Sequence, residues 1–262
     1  MTEIAIYAIV SVIVVSAVSL IGIITLSLRE HLLHQILFVL VGVAAGGMFG
    51  NAIINLIPES LAELPQPAAA PFAILLGILF FFVLEKFLHW KHVHSVEEGC
   101  IDPIHNEIIT HRERPIRPMG YLVLYADAVH NFTDGIIIAA SYLISIPVGI
   151  ATTIAVILHE IPQEIGDFGL LIHSGFSKWH ALGVNFISAL AAVVGTLLGL
   201  FLGSSFSFLT PFIIAFAAGG FLYIAGTDLL PEIHKTADPR RSAIQFLAII
   251  GGIGIMFLLL LV

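Results

Sequence analysis

The sequence predicts an all-α polytopic membrane protein of eight transmembrane helices, and three observations carry that reading. Its 262 residues are 58% hydrophobic and 11% charged, with a mean hydropathy of +1.05. A soluble domain is about 45–50% apolar and about 25% charged. Apolar runs of the length that crosses a hydrocarbon core, about 20 residues, occur near 4–27, 35–57, 71–89, 119–143, 147–172, 180–203, 210–231 and 243–262. Ionisable residues gather in the links, except for two clusters inside the fourth and fifth runs. Residues 1–262 therefore read as one transmembrane domain.

Taken in order, Met1, Thr2 and Glu3 lead directly into apolar sequence without the positive leader of a cleaved signal peptide, so the first run reads as span one. Span two ends in a Pro/Ala-rich link that carries Glu59 and Glu63. Span three leads into a polar link at 90–118, which holds the single Cys100. One cysteine excludes a disulfide framework and any cysteine-based zinc site. The links around Ser145 and Ser205 are the two shortest and barely leave the membrane.

The basic residues orient the chain. All ten Lys and Arg (Arg29, Lys86, Lys91, Arg112, Arg114, Arg117, Lys178, Lys235, Arg240 and Arg241) fall on one side. The positive-inside rule makes that side cytoplasmic, so both termini are expected outside. The acidic Glu59/Glu63 rim lies on the opposite face and reads as an ordinary solvated loop.

An internal repeat follows. Residues 43–59 (VAAGGMFGNAIINLIPE) align without a gap to 216–232 (FAAGGFLYIAGTDLLPE), matching at Ala44, Ala45, Gly46, Gly47, Ala52, Leu56, Pro58 and Glu59. The two copies cross the membrane in opposite directions. Inverted repeats of this kind characterise secondary transporters, which hold substrate near the midplane between related halves. The small residues also let helices approach closely. In this alignment Asn55 corresponds to Asp228.

The polar clusters are His130-Asn131-Phe132-Thr133-Asp134 in span four and His159-Glu160-Ile161-Pro162-Gln163-Glu164 in span five. Ionisable groups at membrane depth are costly and mark ion pathways or sites. Helix periodicity pairs His130 with Asp134, His159 with Gln163, and Glu160 with Glu164. His130 lies ~17 Å and His159 ~18 Å into their antiparallel spans at 1.5 Å per residue, so the clusters meet at mid-membrane. Imidazole with carboxylate is an environment for a divalent transition metal. A polar cluster that merely joins helices is the plainer alternative, and two clusters at one depth argue against it. Pro162 is expected to kink span five and free the carbonyl of Leu158. Asp127, Glu164 and Asp167 continue an acidic stripe toward the cytoplasm, resembling an exit staircase for a cation. The third link adds His89, His92, His94, His105 and His111, a composition that can bind metal and reads here as a solvated loop.

The motifs HNFTDG and HEIPQEIGDF resemble those of the ZIP (ZRT/IRT-like) metal transporters, above all the branch whose fifth span reads HE-x-P-HE-x-GDF. The resemblance extends to eight spans, outward termini, a His-bearing third loop, and an inverted repeat relating spans one to three to spans six to eight. It implies a binuclear metal centre on His130, Asn131, Asp134, His159, Glu160 and Gln163, with a further member from span six near Ser188. Glu164 joins this set as a candidate from its spacing. A homodimer is also implied, as is import of zinc or a similar divalent ion. Two departures stand out. Gln163 replaces the branch's histidine, leaving an amide oxygen and shifting the preference toward harder ions such as Mn²⁺ or Fe²⁺. Span two has Asn51 and Asn55 where relatives carry Asp and His.

The reading is therefore a transporter of divalent metal, zinc foremost, in the plasma (inner) membrane. Its partners are metal ions and lipid. No nucleic acid and no resident cofactor is expected, since the metal is cargo. An intramembrane zinc hydrolase is the alternative, but HEIPQ breaks the HExxH motif of such enzymes at its second histidine.

Overall fold

The computed structural model describes residues 2–25, 30–64, 66, 68–97, 118–205, 207–235 and 237–261. Eight helices in it are long and apolar enough to cross a membrane: Glu3–Ile24, His31–Glu63, Ala69–Lys86, Met119–Ile144, Ile146–His173, Lys178–Ser205, Ser207–His234 and Pro239–Leu259. These are spans one to eight, and the described residues contain no strand. Arg29, Cys100, His105, His111, Arg112, Arg114 and Arg117 lie outside the described residues, as do the side chains of His89, Lys91, His92 and His94.

Helix starts follow from local chemistry. The Ser145 hydroxyl accepts from the Val148 N–H at 3.3 Å, with Pro147 in the first turn of span five. Asp238 accepts from the N–H groups of Arg240 and Arg241 at 2.8 and 3.0 Å ahead of span eight. Both satisfy donors that a helix N-terminus leaves orphaned.

The irregular turns fall in spans two and seven. Span five runs unbroken through Pro162. Spans two and seven instead each contain a π-helical segment, Asn51–Leu56 and Ala225–Leu229. Each ends two residues before a proline, Pro58 or Pro231. A proline ring crowds the carbonyl four residues back, and widening the preceding turn relieves it. Span six breaks at Leu190, where the Ser16 hydroxyl of span one donates to the Ala189 carbonyl at 2.9 Å.

Backbone-close pairs of helices frame the molecule. A Cβ on Gly46 would sit 2.1 Å from the Ile249 carbonyl oxygen, and one on Gly252 would sit 2.2 Å from that of Val43, so spans two and eight touch backbone to backbone. Spans three and seven do the same through Gly77 against Phe216 and Gly219 against Ile74. Spans four and six do so through Gly135 against Ala192 and Gly195 against Phe132. Without water to drive association in lipid, close packing of small residues holds such pairs together. Span five lies at the middle, with Ala151, Ala155 and Val156 in the same buried cluster as Met48, Leu56, Ile137 and Phe221.

Candidate metal site

Contact between spans four and six explains how span four presents its cluster. Gly135, the last residue of HNFTDG, lets span six press against span four one turn beyond Asn131. Thr196 of span six donates to the Gly135 carbonyl at 3.0 Å. Span four is thereby held with His130 and Asp134 turned toward span five.

His130, Asp134, His159 and Glu160 converge, with one ligand atom from each lying within 4.8 Å of the others. The two imidazole Nε2 atoms are 3.2 Å apart. His130 Nε2 is 3.6 Å from Asp134 Oδ2 and 3.3 Å from Glu160 Oε1. His159 Nε2 is 3.2 Å from Asp134 Oδ2 and 3.5 Å from Glu160 Oε1. Zinc in tetrahedral coordination bonds nitrogen and oxygen at about 2.0–2.1 Å, which sets the separation between ligand atoms at about 3.3 Å. These five separations fall in that neighbourhood without any rearrangement.

Tautomer and charge agree with this geometry. His159 Nδ1 lies 3.1 Å from the Ala155 carbonyl, which can only accept. Nδ1 therefore carries the proton of the neutral ring, and Nε2 turns its lone pair to the cluster. Asp134 and Glu160 are no more than 1% exposed, and neither has a hydrogen-bond partner for its carboxylate oxygens. With both imidazoles as neutral ligands, the two buried carboxylates would give the group a charge of −2, which a divalent cation balances; buried charge persists where it is paired or coordinates metal.

The remaining expected residues take other places. Asn131 donates to Asp127 Oδ1 at 2.9 Å, and Ser188 donates to Asp127 Oδ2. Glu164 accepts from Asn185. Asp127, Glu160 and Glu164 form a second, all-carboxylate group within 4.8 Å. Thus Asn131 and Ser188 hold Asp127 and Asn185 holds Glu164, and both carboxylates group with Glu160, which also faces the two histidines. Gln163 lines a cavity of about 590 Å³ alongside His130 and His159. That cavity runs past Asp127, Asp167 and Asp228 toward Glu85, the end of the molecule where the third link leaves. Sequence alone places Asp127 only on the staircase and gives Asn185 no role. The available signal is a polar pair three residues apart, Asn185 and Ser188, on one face of an apolar span.

With this geometry in place, comparison with known proteins is decisive. The sequence matches the family described as "ZIP Zinc transporter" over residues 2–260. The chain belongs to the ZIP zinc transporter family. It is 34% identical to zinc transporter ZIP13 of Pongo abelii over 241 residues, covering 84% of this chain and 65% of that protein. It is 32% identical to human zinc transporter ZIP13 over 269 residues, covering 84% of this chain and 69% of that one. Mouse zinc transporter SLC39A7 is 30% identical over 301 residues, with 86% of this chain and 63% of the relative covered. The chain thus spans about two thirds of the length of these relatives. A ZIP protein is a transporter rather than an enzyme, and the hydrolase alternative falls away. Family and helices together make this an integral, multi-pass membrane protein whose metal is cargo.

Proposed function

We propose that this ZIP protein moves zinc, and less readily Mn²⁺, Fe²⁺ or Cd²⁺, into the cytoplasm through the centre formed by His130, Asp134, His159 and Glu160. The observation that carries this is the set of five ligand separations between 3.2 and 3.6 Å, matching a tetrahedral ion. Asn131, Gln163, Glu164 and Ser188 support it: Gln163 from the cavity wall, the other three through the neighbouring carboxylates. The cavity then serves as the exit, with Asp127 at its inner end and Asp167, Asp228 and Glu85 farther along. An acidic wall of this kind raises local cation concentration.

The matched π-helical segments of spans two and seven, and the equivalent glycine contacts of spans two with eight and seven with three, support an inverted repeat relating spans one to three to spans six to eight. Gly46 and Val43 are replaced in the second copy by Gly219 and Phe216, each 173 positions on. Basic residues orient the 90–118 link and its histidines inward. Both termini then face outward from the plasma (inner) membrane, and the protein works as a homodimer.

Uptake of Zn²⁺ into sealed vesicles tests the centre. Glu160→Ala should lower flux by at least about tenfold, the lower range for loss of even an outer partner of a metal site, with normal insertion. Wild-type flux from this variant would sink the assignment.

A further inference from the structure

On the side of the histidines away from the cavity, a short polar chain joins span two to span five. Asn55 donates to Asn51 Oδ1 at 3.0 Å, and Asn51 donates in turn to the Thr152 hydroxyl at 3.2 Å. All three residues are buried. Thr152 precedes His159 by seven residues, roughly two helical turns, and so shares its face of span five. Both asparagines belong to the π-helical segment of span two, a widening of the helix that recurs at functional sites. Met48, Ala52 and Leu56 of span two and Ala151 and Ala155 of span five surround the chain's level with apolar contacts. In such surroundings a donor stripped of its acceptor is costly, whereas in water it is not.

The second copy of the repeat treats the same positions differently. Positions 51 and 55 align with Ile224 and Asp228, each 173 residues on. Ile224 and Asp228 line the cavity, and Asp228 is exposed. One pair of positions is therefore sealed against span five on one side of the centre, while its counterpart is open on the other. Ile224 has no polar side-chain atom, so closing the cavity cannot form the counterpart of the Asn51–Thr152 bond. We infer that the Asn55–Asn51–Thr152 chain is a latch that holds the protein shut on the side away from the cavity, and that its absence from the second copy biases the transporter toward the conformation open at the cavity. The inference rests on the transport reading above and goes beyond it to the conformational equilibrium. Opening the shut side parts span two from span five and breaks the bond, after which water serves Asn51 and Thr152. Removing the bond by mutation destabilises the shut conformation alone and shifts the population.

Thiol labelling of full-length protein in lipid nanodiscs tests the latch, in a Cys100→Ser background that removes the chain's single cysteine. Ala155→Cys is the reporter. Ala155 is fully buried one turn from His159, on the side of Thr152, and the substitution keeps the carbonyl that orients His159. A water-soluble maleimide reaches it when the shut side opens. Thr152→Val keeps the side chain's shape and removes the acceptor; it should raise the labelling rate at least about threefold, the scale of one buried hydrogen bond. Asn51→Ala should do the same, and carries the test if Thr152→Val is not monodisperse. Thr153→Val is the control, because the Thr153 hydroxyl donates to the Gly149 carbonyl of its own helix at 2.8 Å; its rate should match the parent's. Labelling at Ala126→Cys, on the cavity wall, should not rise in either latch variant. Unchanged labelling at Ala155→Cys in a latch variant overturns the latch. An equal rise from Thr153→Val, or a parallel rise at Ala126→Cys, marks general loosening and overturns it as well. The labelling needs no metal, so it reports the latch separately from the Glu160→Ala flux measurement on which the transport reading stands.

Discussion

His159 receives its orientation from its own helix. Its Nδ1–H is aimed at the Ala155 carbonyl one turn back, so the ring needs no other residue to set its tautomer. His130 is held instead by the acids it faces, Asp134 and Glu160, and is the more exposed of the two, at 14% for its side chain. Gln163 lies one turn beyond His159 on the cavity wall, and on the transport reading proposed above it is the residue at which selectivity is to be tested. Gln163→His adds a second imidazole from span five and should raise zinc affinity on the order of tenfold, the scale of a single partner at a metal site. Harder ions gain nothing from nitrogen, so the Mn²⁺/Zn²⁺ uptake ratio should fall. Turnover should slow, since tighter binding delays release. Competition profiles for Zn²⁺, Mn²⁺, Fe²⁺ and Cd²⁺ read this directly, and unchanged profiles would place the side chain away from the ion. The variant also creates a literal HExxH, yet hydrolysis should remain absent.

The helices bring these residues together through glycine, and the consequence is measurable. A Cβ on Gly135 would sit 1.9 Å from the Ala192 carbonyl oxygen, a backbone atom that cannot swing aside. Gly135→Ala must part spans four and six, at a cost of about 1–3 kcal/mol, as for other overpacked sites. It should lower the melting temperature of the detergent-solubilised protein and reduce zinc flux, because Asn185 and Ser188 ride on span six. Gly254, where an added methyl would meet nothing within 4 Å, is the matched control. Gly254→Ala should leave stability within about 0.5 kcal/mol of wild type. Equal melting temperatures for the two variants would remove the close-packing account. The positions of all eight spans were legible in hydropathy, because lipid demands a long apolar run from every helix that crosses it. Their irregularities were less so. Pro162 has the look of the disruptive residue, but the helix stays continuous there, and the turns widen ahead of Pro58 and Pro231 instead.

At the scale of the molecule, the centre communicates with one end. Ala126, Asp127, Leu170 and Leu229 line the cavity that leads from the histidines. On the other side of the histidines, Val156 of span five and Ile137 and Ile138 of span four are buried in the apolar core with Met48 and Phe221. The conformation is therefore open toward the end that carries the third link. Cys100 is the chain's single cysteine, so a Cys100→Ser background permits a clean accessibility measurement. Ala126→Cys in that background should react with a membrane-impermeant thiol reagent applied from the cytoplasmic face and resist the same reagent applied outside. Labelling from outside alone would reverse either the orientation or the open side.

The sequence by itself determined the class of protein and the eight spans, and it put His130, Asp134, His159 and Glu160 forward as the candidate centre. Each of these depends on composition or on distance along a single helix, and both are written in the chain. The tertiary structure decided what lies across from what. That Glu160 faces both histidines, that Ser188 serves Asp127 rather than an ion directly, and that Asn185 fixes Glu164 depend on the rotation and approach of separate helices. Backbone contact at Gly135 and Gly195 sets that rotation between spans four and six. Glu164 shows the limit most clearly. Its spacing from Glu160 put both on one face of span five, but only the packing of span six against that face gave Glu164 to Asn185 and grouped it with Asp127 instead of with the histidines.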